Sequence, residues 1–314
     1  MRVVHQFAPP MSAMIAGLPG ITSADHIPLE NRWNLPVDAD VVFVLHGEGD
    51  ARDVAGLPRP AGWPGTTKLV QIASAGLDDY PDWLFEAPIV ASASGTNSIP
   101  IAEFTLALML AHAKRLAEVT VTPDRRWLDR NTLLNQPLGS LHGRTLGLLG
   151  LGSIAMQVVQ FAKAFDMKII ATRHSDKPSP DPAVTLVPLS ELAARADHLV
   201  IAAPIDAGTR GLIGVDFLSA MKPEAHIVNI ARGAIIDDAA LRAELDKGRL
   251  WASLDVTDPE PLPDGHWMIG HPRVRVTPHL SWSCPETSQR VFGRLIENIR
   301  RMQAGEPLLG LVKG

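Results

Sequence analysis

The stretch GLGSIA, residues 150–155, most constrains what this chain can fold into. It follows a β-rich run, TLGLLG (145–150), and opens an amphipathic run with Ile154, Val158, Phe161, Ala162 and Phe165 at helical spacing. Another β-rich run, KIIAT (168–172), comes next. In a strand–turn–helix–strand unit each small residue has its own task. Gly150 permits the tight turn, Gly152 lets a ligand approach the backbone, and Ala155 allows close helix–strand packing. The helix start beyond offers N–H groups without intrahelical partners and the positive end of the dipole. Such a turn is suited to a pyrophosphate, so the unit reads as part of a parallel dinucleotide-binding sheet.

The end of the second strand, ATRHS (171–175), bears on which dinucleotide is bound. A carboxylate there would accept hydrogen bonds from the adenosine ribose 2′-OH and repel a 2′-phosphate. Arg173 does the reverse, because a guanidinium holds phosphate through two N–H donors. His174, Ser175 and Lys177 are further donors nearby. The expectation is a preference for NADP(H). The alternative is a solvent-facing arginine in a loop, with NAD(H) bound through other contacts.

The remaining sequence extends the α/β pattern. RVVHQ (2–6), VVFVLH (41–46), KLVQIAS (68–74) and PIVASA (88–93) are candidate strands, with helical or turn-rich pieces between them. NSIPIAEFTLALMLAHAKRLAEV (97–119) reads as one long helix, capped by Ser98, with Pro100 in its first turn and apolar residues on nearly every face. A polar connecting arm covers 122–142. After the glycine turn unit come HLVIAAP (198–204), HIVNIA (226–231), WASLDV (251–256) and VRVTP (274–278), then a helix with Val291, Leu295, Ile299 and Met302 on one face. The reading is two α/β domains: a dinucleotide-binding domain over 98–282, and a second domain made of 1–97 and 283–314.

At 314 residues the chain is long enough for two domains. With 46% apolar and 20% charged residues it is globular in composition, and a net charge of -5 gives no basis for nucleic-acid or anionic-membrane binding. The single cysteine, Cys284, excludes an internal disulfide and a cysteine metal cluster. The N-terminal MRVVHQFAPP lacks a long apolar core, and the apolar stretch 99–113 contains Glu103 and His112 and is too short to cross a bilayer. A cytoplasmic protein is therefore expected.

Three later segments come in a telling order: VNIARGAIID (228–237) with Asn229, Arg232 and Gly233; LDVTDPEP (254–261) with Asp255 and Glu260; VTPHLSW (276–282) with His279. Together with GRTLGLLGLGSIA and SGTNSIPIAEFTLALML, they resemble the D-isomer-specific 2-hydroxyacid dehydrogenase family over residues 66–295. Arg173 brings the chain nearest to the glyoxylate/hydroxypyruvate reductase branch. The resemblance implies a Rossmann-type domain and a flavodoxin-like substrate domain. It implies that Arg232 binds the carboxylate and carbonyl of a 2-oxo acid, and that His279 is the acid–base residue. Glu260 then orients the imidazole and favours its protonated form. Hydride passes from nicotinamide C4 to the carbonyl carbon, and His279 and Arg232 meet the charge that grows on the oxygen.

By the same resemblance, Ser153 and Ile154 touch the pyrophosphate, Ala203 and Pro204 flank the adenosine, and Ile230, Ala231 and Asp255 line the nicotinamide side. The loop ASAGLDD (73–79) resembles the family's carboxylate-binding loop, with backbone N–H groups around Ala75 and Gly76 as donors; an ordinary glycine turn is the other reading. Trp282 either limits substrate size or packs. Trp127 stands in an arm that reaches the neighbouring subunit's site in related reductases. Thr257 replaces an aromatic residue frequent in the family. His46, His112 and His142 receive no catalytic role, and no H-x-x-x-H spacing occurs, so no metal is expected. A homodimer acting on a small 2-oxo or 2-hydroxy acid is expected. A dehydrogenase for another small anion using NAD(H), or a dinucleotide-sensing regulatory protein on this fold, are the alternatives.

Overall fold

A computed structural model describes residues 1–45, 54, 56–123 and 130–314. His46 and Trp127 lie outside the described residues. The chain forms two units, Met1–Asn97 with Cys284–Gly314, and Ser98–Ser283.

The first unit begins with β1 (Arg2–His5), α1 (Pro10–Ala16), β2 (Ser23–His26), β3 (Val41–Val44), β4 (Leu69–Ile72) and β5 (Ile89–Ser92). The second unit holds α2 (Ser98–Ala113), α3 (Leu116–Val119), α4 (Arg130–Leu134), β6 (Thr145–Leu149), α5 (Ser153–Ala164), β7 (Lys168–Thr172) and β8 (Val184–Leu186). It continues with α6 (Leu189–Arg195), β9 (His198–Ile201), α7 (Val215–Ala220), β10 (Ala225–Asn229), α8 (Asp238–Asp246), β11 (Leu250–Leu254) and β12 (Val274–Val276). The chain then returns to the first unit through α9 (Thr287–Ala304) and β13 (Leu311–Lys313).

The first sheet has the order β13-β5-β4-β3-β1-β2, parallel except for β13. Every residue of β3 and β4 is buried, as both faces of a parallel sheet require. One face packs on Val291, Phe292, Leu295 and Ile299 of α9, the other on Trp63, Tyr80, Trp83 and Leu84. Asn298 fastens α9 to the sheet. Its buried amide donates to Gln71 Oε1 (2.7 Å) and to Leu309 O (2.9 Å), and its oxygen accepts from Leu309 N–H (2.9 Å). All its strong partners are met, so burial carries little desolvation penalty.

The second sheet, β12-β11-β10-β9-β6-β7-β8, is wholly parallel. Helices α6, α7 and α8 cover one face; α2 and α5 cover the other. Strand order reverses between β6 and β9, and the crevice at such a switch point is where open α/β sheets bind ligands.

The single long helix expected over 97–119 is interrupted. Helix α2 stops at Ala113, and Arg115 takes a left-handed backbone (φ 48°) before α3 begins. The cause is tertiary: Gly139 N–H donates to Ala113 O (2.8 Å), and Lys114 Nζ donates to Gly139 O (2.8 Å). The returning arm thus satisfies the carbonyl that another turn would have used. Ser98 is the first residue of the helix rather than its cap, and its hydroxyl has no hydrogen-bond partner among the described residues.

Candidate active site

At the carboxyl end of β6, Gly150 has φ +91°, and a Cβ on it would lie 2.8 Å from the N and Cα of Ala203 at the end of β9. Only glycine allows that approach. Gly150 N–H donates to Thr172 O (2.8 Å), so the turn is also tied to the end of β7. Gly152 differs: a Cβ there would meet nothing within 4 Å. No side chain caps α5, which starts at Ser153. The N–H groups of Ser153, Ile154 and Ala155 therefore have no intrahelical acceptor and stand beside an open glycine. This cradle fits a pyrophosphate.

Three further predicted segments leave the same sheet edge. Ala203 and Pro204 follow β9, Ile230 and Ala231 follow β10, and Arg173, His174 and Ser175 follow β7. Arg173 is half-buried and makes no hydrogen bond or ion pair among the described residues. The Ser175 hydroxyl oxygen is buried and likewise has no partner among them. An unpaired guanidinium two positions from a buried hydroxyl without a partner offers the kind of donors a phosphate group takes.

Arg232, Glu260 and His279 follow β10, β11 and β12, three adjacent strands. Buried Asn229 shapes the first connection, accepting from Ala231 N–H (3.0 Å) and donating to Arg232 O (2.8 Å). The Arg232 guanidinium is half-buried and donates to Ala231 O (2.8 Å). Gly233 lies so close to the next connection that a Cβ would fall 2.1 Å from the carbonyl carbon of Thr257. The segment carrying Arg232 is thereby pressed against the segment leading to Glu260.

Glu260 Oε1 and His279 Nδ1 are 2.7 Å apart, with side chains 23% and 18% exposed. Glu260 Oε2 also accepts from Thr257 N–H (3.4 Å). With a carboxylate on Nδ1, that nitrogen carries the proton and Nε2 is left for a ligand. His279 has φ 53°, in the left-handed region. The backbone beside it is bound to Asp255, a connection that the sequence pattern did not disclose. Trp282 is 38% exposed and makes further contacts.

In the first unit, the loop after β4 is fixed by Ser74, whose hydroxyl hydrogen-bonds Gly76 O (2.5 Å) and Tyr80 Oη (3.0 Å). Burial raises the Tyr80 phenol well above its ordinary value, so it stays a neutral partner. Neither the Ala75 nor the Gly76 backbone N–H donates a hydrogen bond among the described residues.

A second polar cluster, at the opposite edge of the second sheet, was not anticipated. His112 stacks on His226 (ring centroids 4.1 Å apart), His226 Nδ1 lies 3.4 Å from His198 Nδ1, and His226 Nε2 lies 2.9 Å from Ser253 Oγ. Burial lowers His112 and His198 from the ordinary 6.5 to about 4, and pushes His226 well below its ordinary value. They pack as neutral rings. Among the described residues no group of three His, Cys, Asp or Glu is arranged to hold a metal ion, and no helix is long and apolar enough to cross a membrane.

The family model described as "D-isomer specific 2-hydroxyacid dehydrogenase, NAD binding domain" matches residues 106–281. The D-3-phosphoglycerate dehydrogenase of Methanocaldococcus jannaschii is 35% identical over 86% of this chain, which spans 51% of that longer relative. The hydroxypyruvate reductase of Thermotoga maritima is 34% identical over 88% of this chain and 89% of its own length. The solved D-mandelate dehydrogenase of Rhodotorula graminis shares the fold, with a TM-score of 0.80 and 24% identity over 100% of this chain and 97% of that one. The chain is a member of the D-isomer-specific 2-hydroxyacid dehydrogenase family, a family of oxidoreductases.

Proposed function

We propose that this protein reduces a small 2-oxo acid of the glyoxylate or hydroxypyruvate class to the D-2-hydroxy acid, with NADP(H) preferred over NAD(H). The observation that carries the reading is the 2.7 Å contact of Glu260 with His279, on the same sheet edge as the open glycine turn. The reduced nicotinamide, when bound, supplies the hydride to the carbonyl carbon. His279, held through Nδ1, presents Nε2 as proton donor to the carbonyl oxygen. Arg232 pairs its planar guanidinium with the 2-oxo carboxylate and stabilises the developing negative oxygen. Glu260 holds the ring and stabilises its protonated form.

Gly150, Gly152, Ser153 and Ile154 receive the pyrophosphate. Arg173, with His174 and Ser175, receives the 2′-phosphate. Ala203 and Pro204 border the adenosine, and Ile230 and Ala231 border the nicotinamide; the Asp255 carboxylate, expected on the nicotinamide side, is instead buried against the segment that carries His279. In the first unit, the unengaged N–H groups of Ala75 and Gly76 are donors suited to a carboxylate. Trp282 is the bulky neighbour that restricts substrate size.

The similarity to hydroxypyruvate reductase over nearly the whole of both chains supports an unphosphorylated substrate; the phosphoglycerate dehydrogenase match leaves about half of that relative uncovered. A homodimer is proposed from the apolar surface around α2 and the arm, where Ile99, Leu116, Val121, Leu134 and Leu138 are all exposed.

A kinetic matrix tests the reading. Glyoxylate, hydroxypyruvate, pyruvate, phenylpyruvate and, in the reverse direction, D-3-phosphoglycerate are each assayed with both cofactors. The expected result is the highest kcat/KM for glyoxylate or hydroxypyruvate with NADPH. Tight NADPH binding without turnover of any acid would favour a sensor.

A further inference from the structure

We propose that Asp255, acting through Thr277, is a positioning residue that holds His279 in its left-handed backbone conformation and so aims the imidazole. This rests on His279 being the proton donor.

Asp255 sits at the end of β11 and is only 1% exposed. Its backbone belongs to the sheet edge, since its N–H donates to Asn229 O (2.9 Å). Its carboxylate faces the next connection. Oδ1 accepts from the Thr277 hydroxyl (2.6 Å) and from Leu280 N–H (3.0 Å), and Oδ2 accepts from Ser281 N–H (2.9 Å). Its carbonyl accepts from His279 N–H (2.9 Å). One residue thus receives a hydrogen bond from four of the five positions 277–281.

No cation pairs with this carboxylate among the described residues. A buried charge without a counterion persists only when several donors satisfy it, and these donors come from the segment that carries His279. At the centre of that segment His279 has φ 53°, unfavourable for a residue with a Cβ and sustained only where the surroundings over-determine it. Asp255 supplies that determination from the backbone side, while Glu260 fixes the ring at 2.7 Å. The ring is thus held at Nδ1 by the Glu260 carboxylate, and the backbone that carries it is held by Asp255, whose carbonyl takes the His279 N–H and whose carboxylate binds the flanking positions 277, 280 and 281. Thr277 donates the shortest of the bonds to Asp255, and it does so from a side chain that can be changed without altering the shape of the loop.

Thr277→Val removes the hydroxyl and keeps the volume, and Thr277→Ser restores the donor. With glyoxylate and NADPH, Thr277→Val is expected to lower kcat about 10-fold, which is about 1.4 kcal/mol in the barrier, while KM and the NADPH Kd stay within about twofold. Thr277→Ser is expected to recover kcat to within about twofold of the parent. In the cofactor-free protein, Thr277→Val is expected to speed amide hydrogen exchange at Leu280 and Ser281 about 10-fold. A Thr277→Val protein with unchanged kcat, or with a loss confined to NADPH affinity, would overturn the proposal. If the parent protein reduces no 2-oxo acid, the functional reading fails instead. The exchange rates still decide the clamp, which is refuted when they match the parent's.

Discussion

His279 Nδ1 lies 2.7 Å from Glu260 Oε1, although nineteen positions separate the two residues in the chain. The contact fixes the tautomer and leaves Nε2 as the nitrogen available to the proposed substrate. Glu260→Gln keeps the size of the side chain and removes its charge. It is expected to lower kcat/KM for the 2-oxo acid about 10²-fold with NADPH affinity retained. Steady-state kinetics alongside fluorescence titration of the cofactor checks both halves.

Arg173 has no partner among the described residues and lies two positions before Ser175, whose buried hydroxyl has none either. Arg173→Asp replaces a phosphate-binding group with one that repels phosphate and accepts from a ribose hydroxyl. Its expected effect is a rise of about 10²-fold in the NADPH Kd, with NADH affected less than about threefold. Equal losses for the two cofactors would place the 2′-phosphate elsewhere.

Two glycines without positive φ should respond in opposite directions to alanine. A Cβ on Gly233 would lie 2.1 Å from Thr257 backbone, whereas one on Gly293, inside α9, would meet nothing within 4 Å. Gly233→Ala is expected to destabilise the fold by about 1–3 kcal/mol, because backbone must move. It should also lower turnover, because the movement separates the Arg232 segment from the connection to Glu260. Gly293→Ala is expected to stabilise by about 0.5–1 kcal/mol. Urea midpoints of the two variants make the comparison.

The histidine cluster gives stability a defined pH dependence. His112 and His198 titrate near about 4 in the folded protein, chiefly through burial, and near the ordinary 6.5 once unfolded. Their neutral packing contributes fully above pH 6.5, and that contribution is lost as pH falls through 6.5 towards 4. Arg275 and the neighbouring imidazoles deepen the effect, and Glu224 and Glu118 oppose it at His112. Each such imidazole adds about 1.4 kcal/mol of destabilisation per pH unit in that window. His112→Gln should flatten the slope of unfolding free energy against pH by about one proton. Identical slopes in parent and variant would show that His112 is not held neutral.

The glycine turn was legible because its signal is local: a small residue at each of three spacings, between a β-rich run and an amphipathic one. The family resemblance brought Arg232, Glu260 and His279 to notice together, and the order of β10, β11 and β12 explains how segments so far apart in sequence reach one edge. The break at Arg115 was hidden because Gly139, far along the arm, satisfies the helix end. Edge strands β2, β8 and β13 were missed because Ser23–His26, Val184–Leu186 and Leu311–Lys313 are short and largely unburied, with no continuous apolar signal. The histidine cluster draws on α2, β9 and β10, and no spacing in the chain announces it.

The most direct measurement is the single-turnover rate of glyoxylate reduction by His279→Gln loaded with NADPH, set beside the parent protein. The account predicts a fall of about 10³-fold or more with the NADPH Kd unchanged, because the ring proposed to protonate the carbonyl oxygen is gone while the glycine cradle is intact. A variant that reduces glyoxylate at the parental rate would contradict it.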